Sequence, residues 1–251
     1  VAARPAARES GAVTPEPTTQ NPRLRTLAGS HNVRDLGGLA TASGLRVRTG
    51  QVFRSDYPAF ADADTGALRE LGLRTVIDLR RGTEAAVERV DWESRGVICE
   101  RWPLTAGRGS SWHARYPAYL VHRPETVVGA VRGVMSPEGH AVLFHCAAGK
   151  DRTGVVAALL LAVLGVPADD IVADYVLSAP SVGPVLDRLV GMELYAAMLA
   201  GSTAEDQEPR AEHMHALLDW LGERGGAEGW LLDHGAPDVE ISNFRDAMLE
   251  G

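Results

Sequence analysis

The chain has 251 residues, 45% of them hydrophobic and 23% charged, which is enough for one sizeable core and somewhat long for a minimal one. A formal net charge of -8 argues against a general nucleic-acid binder, which would carry a basic stripe, so any anionic ligand must be attracted locally. Two cysteines, Cys99 and Cys146, are too few for a disulfide framework and fit a reducing cytoplasm, with secretion left open because the chain begins at Val1 rather than Met.

Residues 1–23 are rich in Ala, Pro, Thr and Arg and lack both apolar periodicity and a secretory h-region. They are expected to form a flexible tail ahead of a single domain over 24–251. Short strands are predicted at 45–47 and 52–54, around Thr49-Gly50. A helix over 63–71 is closed by Gly72, and 75–79, apolar and β-branched, reads as a buried strand. A helix over 83–90 and a strand over 96–99 follow. Residues 103–119 mix Gly, Ser, Trp and Tyr with no clean period, and are expected to form a loop or lid.

Pro124 suits the first turn of a helix running to about 135. The apolar strand 141–144 then leads directly into His145 and Cys146, and from Thr153 a mostly apolar helix runs to 164. The longest apolar stretch, 155–166, falls short of the roughly 18 residues of a membrane span, so a soluble chain is expected. Pro167 opens a helix to about 177, and further helices are predicted over 182–199, 210–224 and 239–249, interrupted by an acidic stretch at 201–208. Alternating strands and helices with buried strands imply an α/β fold: a central, mainly parallel sheet flanked by helices, with an α-rich C-terminal part. Ligands in such folds gather at the carboxyl ends of strands, where Asp78 and Cys146 both fall.

The chemistry concentrates in His145-Cys146-Ala147-Ala148-Gly149-Lys150-Asp151-Arg152-Thr153-Gly154. Five residues between Cys146 and Arg152 let one tight turn place a thiolate and a guanidinium around a single tetrahedral anion. Backbone N–H groups of Ala147, Ala148, Gly149 and Lys150, feeding a helix N-terminus, supply an anion nest and partial positive charge. The same field favours a thiolate. Arg152 offers a fork for two phosphate oxygens, Thr153 has a hydroxyl to give the sulfur as a leaving group, and His145 is placed to orient the loop. The bland reading, that Cys146 is a small buried residue after a strand, does not account for the whole string.

This string resembles the cysteine-dependent protein tyrosine phosphatase superfamily, in particular its bacterial branch of atypical tyrosine and lipid phosphatases. Asn32-Val33-Arg34-Asp35-Leu36-Gly37-Gly38, Phe53-Arg54-Ser55-Asp56 and Val76-Ile77-Asp78-Leu79-Arg80 extend the resemblance over roughly residues 27–249. It implies a phosphocysteine intermediate, no metal, no cofactor, and activity on phosphotyrosine, sometimes on phosphoserine, phosphothreonine or phosphoinositides. Many members supply the leaving-group proton from an aspartate on a loop after an earlier strand. Here residues 101–107 contain no acid, and Asp151 becomes the candidate, its alternative being a carboxylate that stabilises the loop. Asp78, near the mouth by strand position, is a second candidate for the acid but is expected in a supporting role, orienting an arginine or a water. Lys150 either faces a second phosphate or is solvated.

Several residues have plainer readings. Asn32, Arg34, Asp35 and Gly37-Gly38 make a turn with capped backbone groups and glycines at positive φ. Arg54 and Asp56 either reach the pocket or equally suit a strand end with a salt bridge, and Cys99 is expected to be buried in its strand, with a reversible disulfide to Cys146 as the alternative. Trp112, Tyr116 and Tyr119 either cover the pocket or pack in the core. His213 and His215, two apart on a helix, make a poor metal pair and are expected to be exposed. The rival functions are a small-molecule phosphomonoesterase of the same mechanism, a non-catalytic phosphate-binding pseudophosphatase, and sulfur transfer. In every phosphate reading the partner is a phosphorylated protein, phosphoinositide or small molecule.

Overall fold

A computed structural model describes residues 21–107 and 112–251. The tail expected over 1–23 falls on 1–20, outside the described residues, while Arg23 is buried and belongs to the folded body.

In chain order the elements are β1 (Arg34–Asp35), β2 (Arg46–Val47), β3 (Val52–Ser55), α1 (Phe60–Ala63), α2 (Thr65–Leu71), β4 (Thr75–Asp78), α3 (Gly82–Val87) and β5 (Ile98–Arg101). They continue with α4 (Trp112–His122), α5 (Pro124–Met135), β6 (Val142–His145), α6 (Asp151–Val163), α7 (Ala168–Val176), α8 (Val182–Val190) and α9 (Glu193–Leu199). The chain closes with α10 (Ala211–Gly222), α11 (Gly226–Asp233), α12 (Asp238–Met248) and β7 (Leu249–Glu250).

The main sheet has the order β1-β3-β6-β4-β5, with β3, β6, β4 and β5 parallel and β1 antiparallel at one edge. β2 and β7 form a separate antiparallel pair. Side chains alternate across the sheet as strand geometry requires. Ile77, Val142 and Phe144 enter the larger core with α4, α5, α6 and α10, while Val76, Leu143 and Phe53 enter a smaller one with α1 and α2. Because β6 lies at the centre, α6 is covered on nearly every side, and Val155 through Leu161 are all buried. That explains why its sequence is apolar without a polar stripe.

Four sequence expectations need correction. Residues 112–119 are not irregular, since α4 runs through them with Pro117 inside it; the proline and the mixed composition hide the helical period. The helix expected over 182–199 is two, α8 and α9, separated at Gly191-Met192. The helix expected over 63–71 is also split, with Asp64 accepting bonds from the N–H groups of Gly66 and Ala67 to start α2 and Gly72 in the left-handed region ending it. Cys99 is exposed, because β5 is the edge strand and its sequence does not alternate with the sheet.

Candidate active site

The parallel register sets Ser55, Asp78 and His145 side by side at the carboxyl ends of β3, β4 and β6. The loop from Cys146 to Lys150 leaves the sheet there and enters α6. Gly149 turns it at φ 67°, and a Cβ at this position would stand 2.5 Å from the Asp56 nitrogen, so the residue must be glycine on both grounds.

The loop carbonyls are tied outward, each by a different element. Arg188 on α8 donates to Ala147 O at 2.6 Å, and Tyr57 N–H reaches the same oxygen at 3.3 Å. Asn32 Nδ2 donates to Ala148 O at 3.1 Å, and Arg54 donates to Gly149 O at 2.9 Å. In a trans peptide the N–H points opposite to the carbonyl, so fastening these three oxygens outward turns the N–H groups of Ala148, Gly149 and Lys150 inward. Gly149 N–H accordingly donates to Cys146 Sγ at 3.2 Å. The result is a nest of donors at a helix start, with a sulfur at its floor.

Behind the loop sits a buried charge cluster. Asp174 on α7 binds Arg23, Arg34 and Arg54 at once, and the three guanidinium groups hold its carboxyl far below the usual range against the opposing effect of burial. Arg34 also bonds Asn32 Oδ1. Asn32 and Arg34, read from sequence as turn residues, and Arg54, read as a pocket or strand-end residue, are therefore the scaffold of the loop from Cys146 to Lys150. Asp35 does cap backbone, accepting from Gly37 N at 2.8 Å and Gly50 N at 2.7 Å. Only Gly38 of the glycine pair has positive φ, whereas Gly37 is needed because a Cβ there would lie 2.4 Å from Arg48 O.

Arg152 presents its guanidinium to Glu84 of α3 through two bonds of 2.8 Å. Glu84 is buried, is further held by Tyr195 of α9 at 2.8 Å and by Arg81 at 2.9 Å, and is kept ionised by these donors despite burial. Among the described residues, two of the five N–H groups of Arg152 are thus occupied. Glu84 is a site residue that sequence reading missed; its only local signal is its place three residues into the helix after Arg81.

Lys150 is buried rather than solvated, and its Nζ donates to Asp151 Oδ1 at 2.9 Å. Tyr116 OH donates to the same oxygen at 2.7 Å. Lys150 holds the Asp151 carboxyl below its usual range even though burial opposes this. Thr153 is fully buried and its Oγ1 has no hydrogen-bond partner among the described residues, so a hydroxyl donor stands unspent in the first turn of α6. His145 Nδ1 faces Cys146 O at 3.2 Å, and burial pushes its pKa down to about 4. Asp78 lies outside the cavity described below, accepting three bonds from Arg80, one from its backbone N–H at 3.0 Å and two from its guanidinium at 2.9 and 3.0 Å, and one from Arg101 at 3.4 Å.

Cys146, Ala147, Ala148, Lys150, Asp151 and Arg152 form the floor of a cavity of about 650 Å³. Residues 104–107 and Tyr119 make one wall, and α8 and α9 make another through Val182, Val185, Leu189, Tyr195 and Met198. Tyr119 therefore lines the cavity and Tyr116 lies buried beneath it; Trp112 falls outside the described side chains. Cys99 is separated from Cys146 by the whole of β4, at least two strand spacings or about 10 Å, too far for a disulfide. His213 is buried edge-on against Tyr116, 6.1 Å between ring centroids, and His215 is exposed.

A model of a tyrosine phosphatase family matches residues 25–250. A protein of Cupriavidus necator, named as a tyrosine-protein phosphatase, is 34% identical, the match covering 92% of this chain and 93% of that one. A tyrosine-protein phosphatase of Nostoc commune is 32% identical over 76% of this chain and 71% of its own. The triple specificity protein phosphatase PtpB of Mycobacterium tuberculosis is 29% identical over 90% of this chain and 99% of its own.

Proposed function

The chain belongs to the tyrosine phosphatase family, and on that premise we propose that it hydrolyses phosphotyrosine through a phosphocysteine intermediate on Cys146. The observation that carries this reading is the outward fastening of the Ala147, Ala148 and Gly149 carbonyls, which leaves N–H donors, Cys146 and Arg152 around one anion-sized position. Cys146 Sγ attacks phosphorus as the ester oxygen departs. The nest and Arg152 hold the equatorial oxygens as charge shifts onto them. Asp151 protonates the leaving oxygen, and in the second step takes a proton from the water that attacks phosphocysteine, while Thr153 Oγ1 donates to the departing sulfur.

Lys150 faces Asp151 and holds its carboxyl below the usual range, against the opposing effect of burial. A bound phosphate dianion adds negative charge and draws on the same Lys150 cation, and both effects push the carboxyl back toward the protonated form an acid needs. The apolar walls from Leu104, Tyr119, Val185 and Leu189 suit an aryl ring beyond the phosphate. The cavity of about 650 Å³ is larger than one ring requires, and Lys150 adds a cation to its floor. These two features favour a second activity on phosphoserine, phosphothreonine or phosphoinositides.

The test is a substrate panel of phosphotyrosine, phosphoserine and phosphothreonine peptides, phosphoinositides, and sugar and nucleotide phosphates, with Cys146→Ser as control. Turnover of phosphotyrosine and para-nitrophenyl phosphate, lost in Cys146→Ser, is the expected result. No turnover with tight phosphopeptide binding would leave a pseudophosphatase, and preference for a sugar or nucleotide phosphate would move the substrate to small molecules. Asp151→Asn should lose the alkaline limb of kcat/KM and slow esters with poor leaving groups by about 10² or more. An unchanged limb in that variant removes Asp151 as the acid.

A further inference from the structure

Both hydrogen bonds described for the Asp151 carboxylate fall on one atom. Oδ1 accepts from Lys150 Nζ at 2.9 Å and from Tyr116 OH at 2.7 Å, and none of those described falls on Oδ2. An acid can transfer a proton only from the oxygen that bears it. With both donors pressed against Oδ1, the proton belongs on Oδ2.

Tyr116 does not stand alone. Its hydroxyl lies 2.6 Å from that of Tyr175 on α7, and because Tyr116 gives its hydrogen to a carboxylate, Tyr175 must be the donor between the two. The two rings meet edge to face with centroids 5.8 Å apart, and His213 of α10 closes the other side of Tyr116. The chain Tyr175 to Tyr116 to Asp151 thus ties α4 and α7 to the first residue of α6. Both tyrosines are buried, and burial beside Asp151 keeps their hydroxyls protonated, as donors, well beyond neutral pH.

We propose that Tyr116, backed by Tyr175, is a positioning residue that fills Oδ1 of Asp151 and so fixes Oδ2 as the atom that delivers the proton to the leaving group. This rests on the reading of Asp151 as the general acid. Among the described residues, the charged and titratable groups around that carboxyl include Lys150, Arg115, Tyr116, Tyr119 and Tyr175. The tyrosine pair can be altered without changing any formal charge.

Tyr116→Phe removes one hydrogen bond to the ionised carboxyl. The alkaline limb of kcat/KM should therefore move to higher pH, by about one unit. Loss of the fixed donor oxygen should also slow an alkyl phosphate about ten-fold more than para-nitrophenyl phosphate, whose leaving group needs little protonation. Tyr175→Phe, which removes only the outer donor, should give smaller changes of the same sign. If Asp151→Asn abolishes the alkaline limb but neither tyrosine variant moves it or alters the ratio of the two esters, the relay is wrong and the acid assignment stands. If Asp151→Asn leaves the limb in place, the acid assignment itself has failed. Equal proportional losses on both esters, with the limb unmoved, would reduce Tyr116 to a packing residue. Should Tyr116→Phe fail to fold, the Tyr175→Phe profile decides between the same outcomes.

Discussion

Arg152 and Glu84, 68 residues apart, face each other through two parallel bonds of 2.8 Å. A guanidinium on a long side chain has many rotamers, and this fork fixes one of them before a ligand arrives, so the ordering cost is met in folding rather than in binding. Tyr195 and Arg81 hold the carboxylate in turn.

Glu84→Gln keeps the shape but sets an amide NH2 against one guanidinium nitrogen, breaking the pair. We expect kcat/KM for para-nitrophenyl phosphate to fall by about 10²-fold, the scale of a misplaced catalytic group. Steady-state kinetics beside a thermal melt separates the two consequences of the change. A variant that melts lower yet keeps kcat/KM within a factor of two would mean that Arg152 is placed by something other than Glu84.

His145 gives a prediction about pH and stability. It is buried between the sheet and the loop, and desolvation pushes its pKa down to about 4, from about 6.5 in an unfolded chain. Between these values the unfolded chain binds a proton that the folded one does not. Stability must therefore fall as the pH drops from about 6.5 to about 4, by on the order of 3 kcal/mol. Urea unfolding at pH 7, 5.5 and 4.5 should show that decline, and His145→Asn, which has no proton to gain, should flatten it. Parallel profiles for the two proteins would show that the group does not control this range.

Cys146, Arg152 and the glycine turn were legible because they lie on one short segment, whose spacing alone encodes the geometry. What holds that segment was not, because each support is distant in sequence. Asn32 reaches Ala148 across 116 residues, and Arg54 reaches Asp174 across 120. Periodicity reports burial of a helix face and turn chemistry reports local backbone; neither reports which buried arginine meets which carboxylate. The same limit explains Tyr116, an aromatic in a segment whose proline masks its helix, and Cys99, whose strand period says nothing of its place at a sheet edge.

Gly149 tests whether the outward-tied loop is what organises the site. Its φ of 67° and the 2.5 Å that would separate an added Cβ from the Asp56 nitrogen mean that Gly149→Ala strains the backbone and also pushes the loop away from β3. The nearest atoms in the way are backbone atoms of Ser55 and Asp56, so no side chain can swing aside to relieve the clash. The displacement would break the Arg54 bond to Gly149 O and rotate the neighbouring N–H groups out of the nest. We expect the variant to lose binding of vanadate or phosphate together with turnover, by about 10²-fold or more, while α6 and the core beneath it keep their far-ultraviolet circular dichroism. The neighbouring Ala148→Gly, which adds no atoms, serves as the comparison. If Gly149→Ala retained oxyanion affinity within a few-fold of the parent, the inward N–H groups would not be the source of that affinity, and Arg152 and Lys150 would have to supply it alone.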